Sequence, residues 1–128
     1  MERKILVADD DFLLRSMTMS QLEDLCKSLG IKANIDDATT GKEAVEKARA
    51  REYHLIVLDN NMESHDNGFN AILKIREFRP ELPMILYTSG LDDVRKEAIM
   101  KKAGAEIVIK CGDVDLADAA RKYLEAGE

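Results

Sequence analysis

Five polar side chains stand immediately after short apolar runs: Asp9 and Asp10 after ILVA at 5–8, Asp59 after LIVL at 55–58, Thr88 after MILY at 84–87, and Lys110 after IVI at 107–109. If those runs are parallel strands of one sheet, all five groups arrive at a single edge. Open parallel sheets bind ligands beyond the carboxyl ends of their strands, so the pattern gathers three carboxylates, a hydroxyl and an ammonium in one crevice. That set suits phosphoryl transfer. A carboxylate projecting from the middle of the strand ends can attack phosphorus. Attack of one anion on another needs charge neutralisation, which a metal and an ammonium supply, while a hydroxyl can donate to a phosphoryl oxygen. Crowded carboxylates also raise each other's pKa and persist as anions mainly around a cation. A hard divalent ion with oxygen ligands, Mg2+, answers that need.

Each residue has a plainer reading as well. Acidic residues before a helix are commonly caps or dipole partners, which covers Asp9, Asp10 and Asp11. Asp59 could be another metal ligand or a turn residue, and a strand-end threonine and a surface lysine are both ordinary. Their shared position after four apolar runs is not.

The elements that must position these groups follow from periodicity. A strand at 5–8 leads into a helix over about 12–29, with Leu14, Met17, Leu22, Leu25 and Leu29 near helical spacing and Gly30 as a left-handed stop. A weaker strand covers 33–37. Thr40 with Glu43 resembles a capping box opening a helix through about Arg51. Residues 54–58 form a continuous apolar strand of the kind buried on both faces. A polar loop over 60–68 precedes a helix over 69–78, which Pro80 and Pro83 end. After the strand at 84–87, Asp92 and Asp93 start a helix that Lys101 and Lys102 close, with Gly104 as the stop. The strand at 107–109 precedes a helix from about Asp115 in which Leu116, Ala119, Ala120, Tyr123 and Leu124 follow the amphipathic pattern. Five strands alternating with five helices through short loops call for a parallel sheet with helices on both faces. Nothing along 1–128 reads as a linker, so the expectation is one domain.

The 128 residues carry a net charge of -6, which opposes direct nucleic-acid binding and favours protein partners. Cys26 and Cys111 have neither metal-ligand nor disulfide-framework spacing, consistent with a reducing compartment. The start MERKILVADDD is no signal-peptide core, and no run approaches membrane-spanning length. The expected location is the cytoplasm, with no membrane association.

The stretches ILVADDD, LIVLDNNM, ILYTSG and EIVIKC, in this order, closely resemble the receiver domains of two-component response regulators, the chemotaxis regulator among them, over nearly the whole chain. The resemblance implies a flavodoxin-like doubly wound sheet with strand order 2-1-3-4-5. It also implies that Asp59 is the phosphoacceptor, Asp10 a direct Mg2+ ligand, Asp9 a ligand acting directly or through water, and Asn61 a ligand through its backbone carbonyl. Thr88 matches the switch hydroxyl and Lys110 the phosphate-binding lysine, while Asp11 falls outside the acidic pair and starts the first helix. The phosphoryl donor would be a histidine kinase or histidine phosphotransfer protein. The output would be altered binding of a downstream protein, with catalysis limited to Mg2+-dependent self-phosphorylation and autodephosphorylation.

Several positions depart from the family pattern. Glu63 stands where Pro is usual, and the loop through Ser64, His65, Asp66 and Asn67 is one residue longer than the commonest form. An exposed loop histidine such as His65 is ordinarily solvated rather than a ligand. Cys111 replaces the proline after the lysine, so the peptide between Lys110 and Cys111 is expected to be trans. Ile107 replaces an aromatic switch residue, which leaves Thr88, Ser89, Gly90 and the helix start near Asp92 to carry the activation signal. Asn61 and Gly90 leave the phosphoryl group open to water, and Arg95, Lys96, Lys101 and Lys102 form either a docking face or a solvated one. Two other functions fit parts of the pattern: a phosphorylation-independent interaction domain on the same fold, and a small aspartyl-phosphatase, which lacks a cap domain.

Overall fold

The computed structural model describes residues 1–60, 62, 67–89, 93–110, 112 and 115–125. In chain order the elements are β1 (Glu2–Ala8), α1 (Phe12–Ser28), β2 (Lys32–Ala38), α2 (Gly41–Ala50), β3 (Leu55–Leu58), α3 (Asn67–Phe78), β4 (Met84–Thr88), α4 (Asp93–Ala103), β5 (Glu106–Ile109) and α5 (Leu116–Glu125). The strands form one parallel sheet in the order β2-β1-β3-β4-β5. Fold class and strand order are those expected. The differences lie at element ends: β1 and β2 are longer than their apolar runs because ladder hydrogen bonds need no apolar side chain, and Thr88 is the last residue of β4 rather than the first beyond it.

Strand alternation sends side chains to two apolar layers. Leu6, Ile56, Leu58, Met84 and Leu86 pack with Ala44, Ala48, Ile72 and Ile75 beneath α2 and α3. Ile5, Val7, Leu55, Val57, Ile85 and Val108 pack on the other face with Leu22, Leu25 and Cys26 of α1 and Leu116, Ala119, Ala120 and Leu124 of α5. β1, β3 and β4 are thus buried on both sides, the condition under which a parallel strand reads as an unbroken apolar run. Cys26 belongs to this second layer, where burial pushes its thiol pKa up.

The helix ends follow from local chemistry. Asp11 caps α1 by accepting from the Leu14 amide. At the other end Gly30 takes φ +71°, donating to the Lys27 carbonyl while Ile31 donates to Cys26, a Schellman closure. Thr40 caps α2 through the Glu43 amide, but the Glu43 carboxylate reaches back to the Thr39 amide rather than to that of Thr40. One turn of α1 departs from its sequence pattern: Phe12, Leu13 and Met17 are 73, 65 and 51% exposed, and Leu14 is exposed as well. The buried stripe of α1 begins at Thr18, because the turn before it projects past the carboxyl edge of the sheet.

Candidate functional site

Register brings the two central strands to the edge together. Ala8 pairs with Leu58, the Asp59 amide donates to the Ala8 carbonyl at 2.9 Å, and the Asp9 amide donates to Ala38 at 3.1 Å. Asp9 and Asp59 therefore leave the sheet side by side. One carboxylate oxygen from each of Asp9, Asp10 and Asp59 lies within 4.8 Å of the other two. Three carboxylates converging from two strand ends offer the hard oxygen donors that a divalent cation such as Mg2+ would take. The donor set fits a hard divalent cation.

Lys110 enters from the fifth strand. Its amide donates to the Thr88 carbonyl at 2.8 Å, continuing the β4–β5 ladder one step past β5. Its ammonium lies 3.3 Å from one Asp9 oxygen and 3.9 Å from one of Asp59, with side chains of low exposure on all three residues. The Tyr87 ring lies 5.4 Å from the same ammonium and confines it on one side. Lys110 contributes one positive charge against three carboxylates, so the pocket keeps a negative balance that favours a further cation.

Thr88 is fully buried at the end of β4, and among the described residues its hydroxyl has no hydrogen-bond partner. The register of Leu58 with Leu86 sets Thr88 level with Asn60, one residue past Asp59. A buried hydroxyl without a partner costs about 1–3 kcal/mol. A fold tolerates that cost where a ligand oxygen completes the bond.

The structure thus gathers the Asp9, Asp10 and Asp59 carboxylates, sets Lys110 beside Asp9 and Asp59, and places Thr88 at the same edge. Asn61, Glu63, His65, Gly90, Asp92, Cys111 and its peptide bond to Lys110, and the side chains of Arg95 and Lys96 lie outside the described residues. Lys101 and Lys102 are exposed, with Lys101 paired to Glu97 one turn earlier. Ile107 is partly buried against the layer that holds Leu58 and Leu86.

Two supporting residues escaped the sequence reading. Asn60 is fully buried; its side-chain oxygen accepts from the Phe69 amide at 3.1 Å and its carbonyl from Gly68 at 2.9 Å, tying the start of α3 to the strand end. Gly68 touches the candidate acceptor directly, since a Cβ there would lie 2.2 Å from the Asp59 carbonyl oxygen and 2.7 Å from the Asn60 Cα. Only glycine allows that approach. A glycine in the first turn of an otherwise regular helix was the available signal, because it lowers helix propensity and needs a packing reason.

Fold and site together define an acidic, lysine-bearing pocket at the carboxyl edge of a flavodoxin-like sheet. The family model described as "Response regulator receiver domain" matches residues 5–121, and the chain belongs to that family. Receiver domains are the phosphoacceptors of two-component response regulators, bind Mg2+ at an acidic pocket, and interact with histidine kinases and downstream effectors. The chain is 32% identical over 124 residues to a protein-glutamate methylesterase/protein-glutamine glutaminase of Archaeoglobus fulgidus, covering 94% of this chain and 34% of that protein. It is 27% identical over 126 residues to the response regulator protein VraR of Staphylococcus epidermidis, covering 95% and 56%. Among solved structures, the response regulator protein TrrA of Thermotoga maritima in complex with Mg2+-BeF superposes with a TM-score of 0.73 at 27% identity, covering 94% of this chain and 98% of that one. The chain spans about a third to about half of the length of those two curated relatives. Among the described residues, no helix is long and apolar enough to cross a membrane.

Proposed function

We propose that the chain acts as a single receiver domain that accepts a phosphoryl group on Asp59 from a histidine kinase or histidine phosphotransfer protein and thereby switches the binding of a downstream protein. The observation that carries this reading is the convergence of the Asp9, Asp10 and Asp59 oxygens beside the Lys110 ammonium at the carboxyl edge of the sheet. An Asp59 oxygen attacks phosphorus, the new O–P bond forms as the donor's N–P bond breaks, and the electron pair leaves with the donor imidazole, which takes up a proton. Lys110 offsets the charge of the transferred group. The Thr88 hydroxyl donates to one of its oxygens, gaining the partner it lacks among the described residues. Asp9, Asp10 and Asp59, with the Asn61 carbonyl, would hold Mg2+, which when bound supplies the positive charge that lets two anions approach. The chemistry stays within the chain's own phosphorylation and dephosphorylation.

The exposed apolar turn Phe12, Leu13 and Met17 adjoins the acidic edge. Exposed apolar groups beside a reactive crevice suit an apolar helix face of the donor, and the net charge of -6 opposes nucleic acid as the direct target. We assign these events to the cytoplasm, where kinase and target would meet.

The test is mass spectrometry after incubation with a small phosphodonor and Mg2+. Wild type gains one phosphoryl group, and Asp59→Asn gains none. Labelling that persists in Asp59→Asn moves the acceptor elsewhere. A wild type that binds partners yet never takes up phosphate establishes the phosphorylation-independent alternative. Leu13→Glu should block transfer from a protein donor while leaving the small donor effective.

A further inference from the structure

The backbone of Asp9 holds a bond that the sheet does not supply. Its amide points toward β2 and meets the Ala38 carbonyl. The Asp9 carbonyl points the same way, as N–H and C=O of one strand residue do, but β2 has ended at Ala38. Arg15, one turn into α1, fills the vacancy: its Nη1 donates to the Asp9 carbonyl at 2.9 Å and its Nε to the Asp37 carboxylate at 2.9 Å. The Arg15 side chain is only 11% exposed and lies over the Phe12 ring at 5.5 Å. Asp37 is itself tethered, because the Lys47 ammonium donates to its carbonyl. A continuous brace therefore runs from α2 through the end of β2 and the first turns of α1 to the peptide joining Asp9 to Asp10.

That peptide sets the direction of both acidic side chains. The Asp9 carboxylate is held by the Asp11 amide at 3.0 Å and by Lys110, whereas Asp10 begins at the amide of the plane that Arg15 grips and brings its own carboxylate to within 4.8 Å of the others. Rotation of this plane would swing Asp10 away from Asp9 and Asp59. Conventional charge reasoning makes Arg15 a liability, since a guanidinium near an acidic pocket competes with a bound cation. Geometry assigns it the opposite effect.

We propose that Arg15 is a positioning residue for the metal site: by holding the peptide between Asp9 and Asp10 it keeps both carboxylates aimed at one ion, and this outweighs its own charge. The proposal rests on the reading of the acidic pocket as a Mg2+ site. Outer groups that orient ligands typically contribute about 10–100-fold in metal affinity.

Two effects of opposite sign make the test decisive. Calorimetric titration of the full chain with MgCl2 should show Arg15→Met binding about tenfold more weakly than wild type. Arg15→Lys keeps the charge but cannot bond the carbonyl and Asp37 with two fixed donors, and should also bind more weakly. In both variants the Asp11 amide should exchange faster with solvent than in wild type, read by NMR without metal. Arg15→Met that binds Mg2+ as tightly as wild type or more tightly, or Arg15→Lys indistinguishable from wild type, overturns the proposal while leaving the metal site in place. A wild type that binds no Mg2+ removes the reading of the pocket and the proposal with it. Should Arg15→Met not fold, Asp37→Ala releases the guanidinium's anchor; unchanged Asp11 exchange there overturns the brace, and faster exchange supports it.

Discussion

The two ends of the sheet handle polar groups in opposite ways. At the amino end, arginines close helix C-termini. Arg3 donates to the Leu124 carbonyl of α5, and Arg79 donates to the carbonyls of Ala48, Arg49 and Arg51 at the end of α2. Arg76 donates to Ala103 at the end of α4 and to Arg79, Pro80 and Leu82 in the turn before β4. These positive groups meet the negative ends of helix dipoles and satisfy carbonyls that have no helical partner. At the carboxyl end, like charges are held together and the Thr88 hydroxyl is buried without a partner among the described residues. The first end is arranged for stability. The second withholds stability so that a ligand can supply it, the usual relation between a site and its scaffold.

The largest effect that tests this contrast is expected at Arg76. Arg76→Met should lower unfolding free energy by about 2–4 kcal/mol in urea denaturation, because four carbonyls lose a charged donor. Phosphorylation of the folded fraction should persist. A variant as stable as wild type would show that water replaces the guanidinium at no cost and would erase the distinction between the ends.

Next comes Gly68→Ala, which should cost about 1–3 kcal/mol because the new methyl meets backbone rather than a flexible side chain. It should also slow phosphorylation by displacing Asp59. Loss of stability with an unchanged phosphorylation rate would separate Gly68 from the site.

Thr88→Val should act in the opposite direction. Removing an unpartnered buried hydroxyl without changing shape should raise stability by about 1 kcal/mol while slowing phosphoryl transfer. A destabilised Thr88→Val, measured by the same denaturation, would mean that the hydroxyl is already bonded at rest.

The smallest effect concerns pH. The His54 Nδ1 accepts the Lys4 amide at 2.9 Å, and burial, aided by Arg3 and Lys4, lowers its pKa below 6.5. The unfolded chain therefore takes up this proton first as pH falls. Its contribution is complete above pH 6.5 and is lost as pH drops through the lower folded value. His54→Gln should flatten the decline in melting temperature just below pH 6.5; an unchanged slope would assign the decline to other groups.

How much of this was legible beforehand differs by residue. Asp59 could be placed because a parallel strand buried on both faces is an uninterrupted apolar run, so the first polar residue after it marks the sheet edge; Lys110 ends a shorter apolar run on the half-buried edge strand β5. Arg15 could not, and the glycine at 68 signalled a close approach without saying to what: both roles depend on where the chain lies in space, on a carbonyl left open by the end of β2 and a backbone approached by α3. In α1, Leu14 keeps the spacing of the buried stripe but is exposed, since periodicity specifies a face and not the point where the neighbouring sheet ends.

The sequence by itself determined the alternation of five strands with five helices, the stops at Gly30 and Gly104, the cap at Thr40, and the residues that meet the sheet edge. These are local properties, set by side-chain period and backbone preference within a few residues. Strand order had to come from family resemblance, and tertiary structure alone decided which carboxylate oxygens converge, which hydroxyl is left without a partner, and which arginines close the far end. Those depend on groups up to 121 positions apart, as Arg3 and Leu124 are, and no local preference encodes a meeting at that distance.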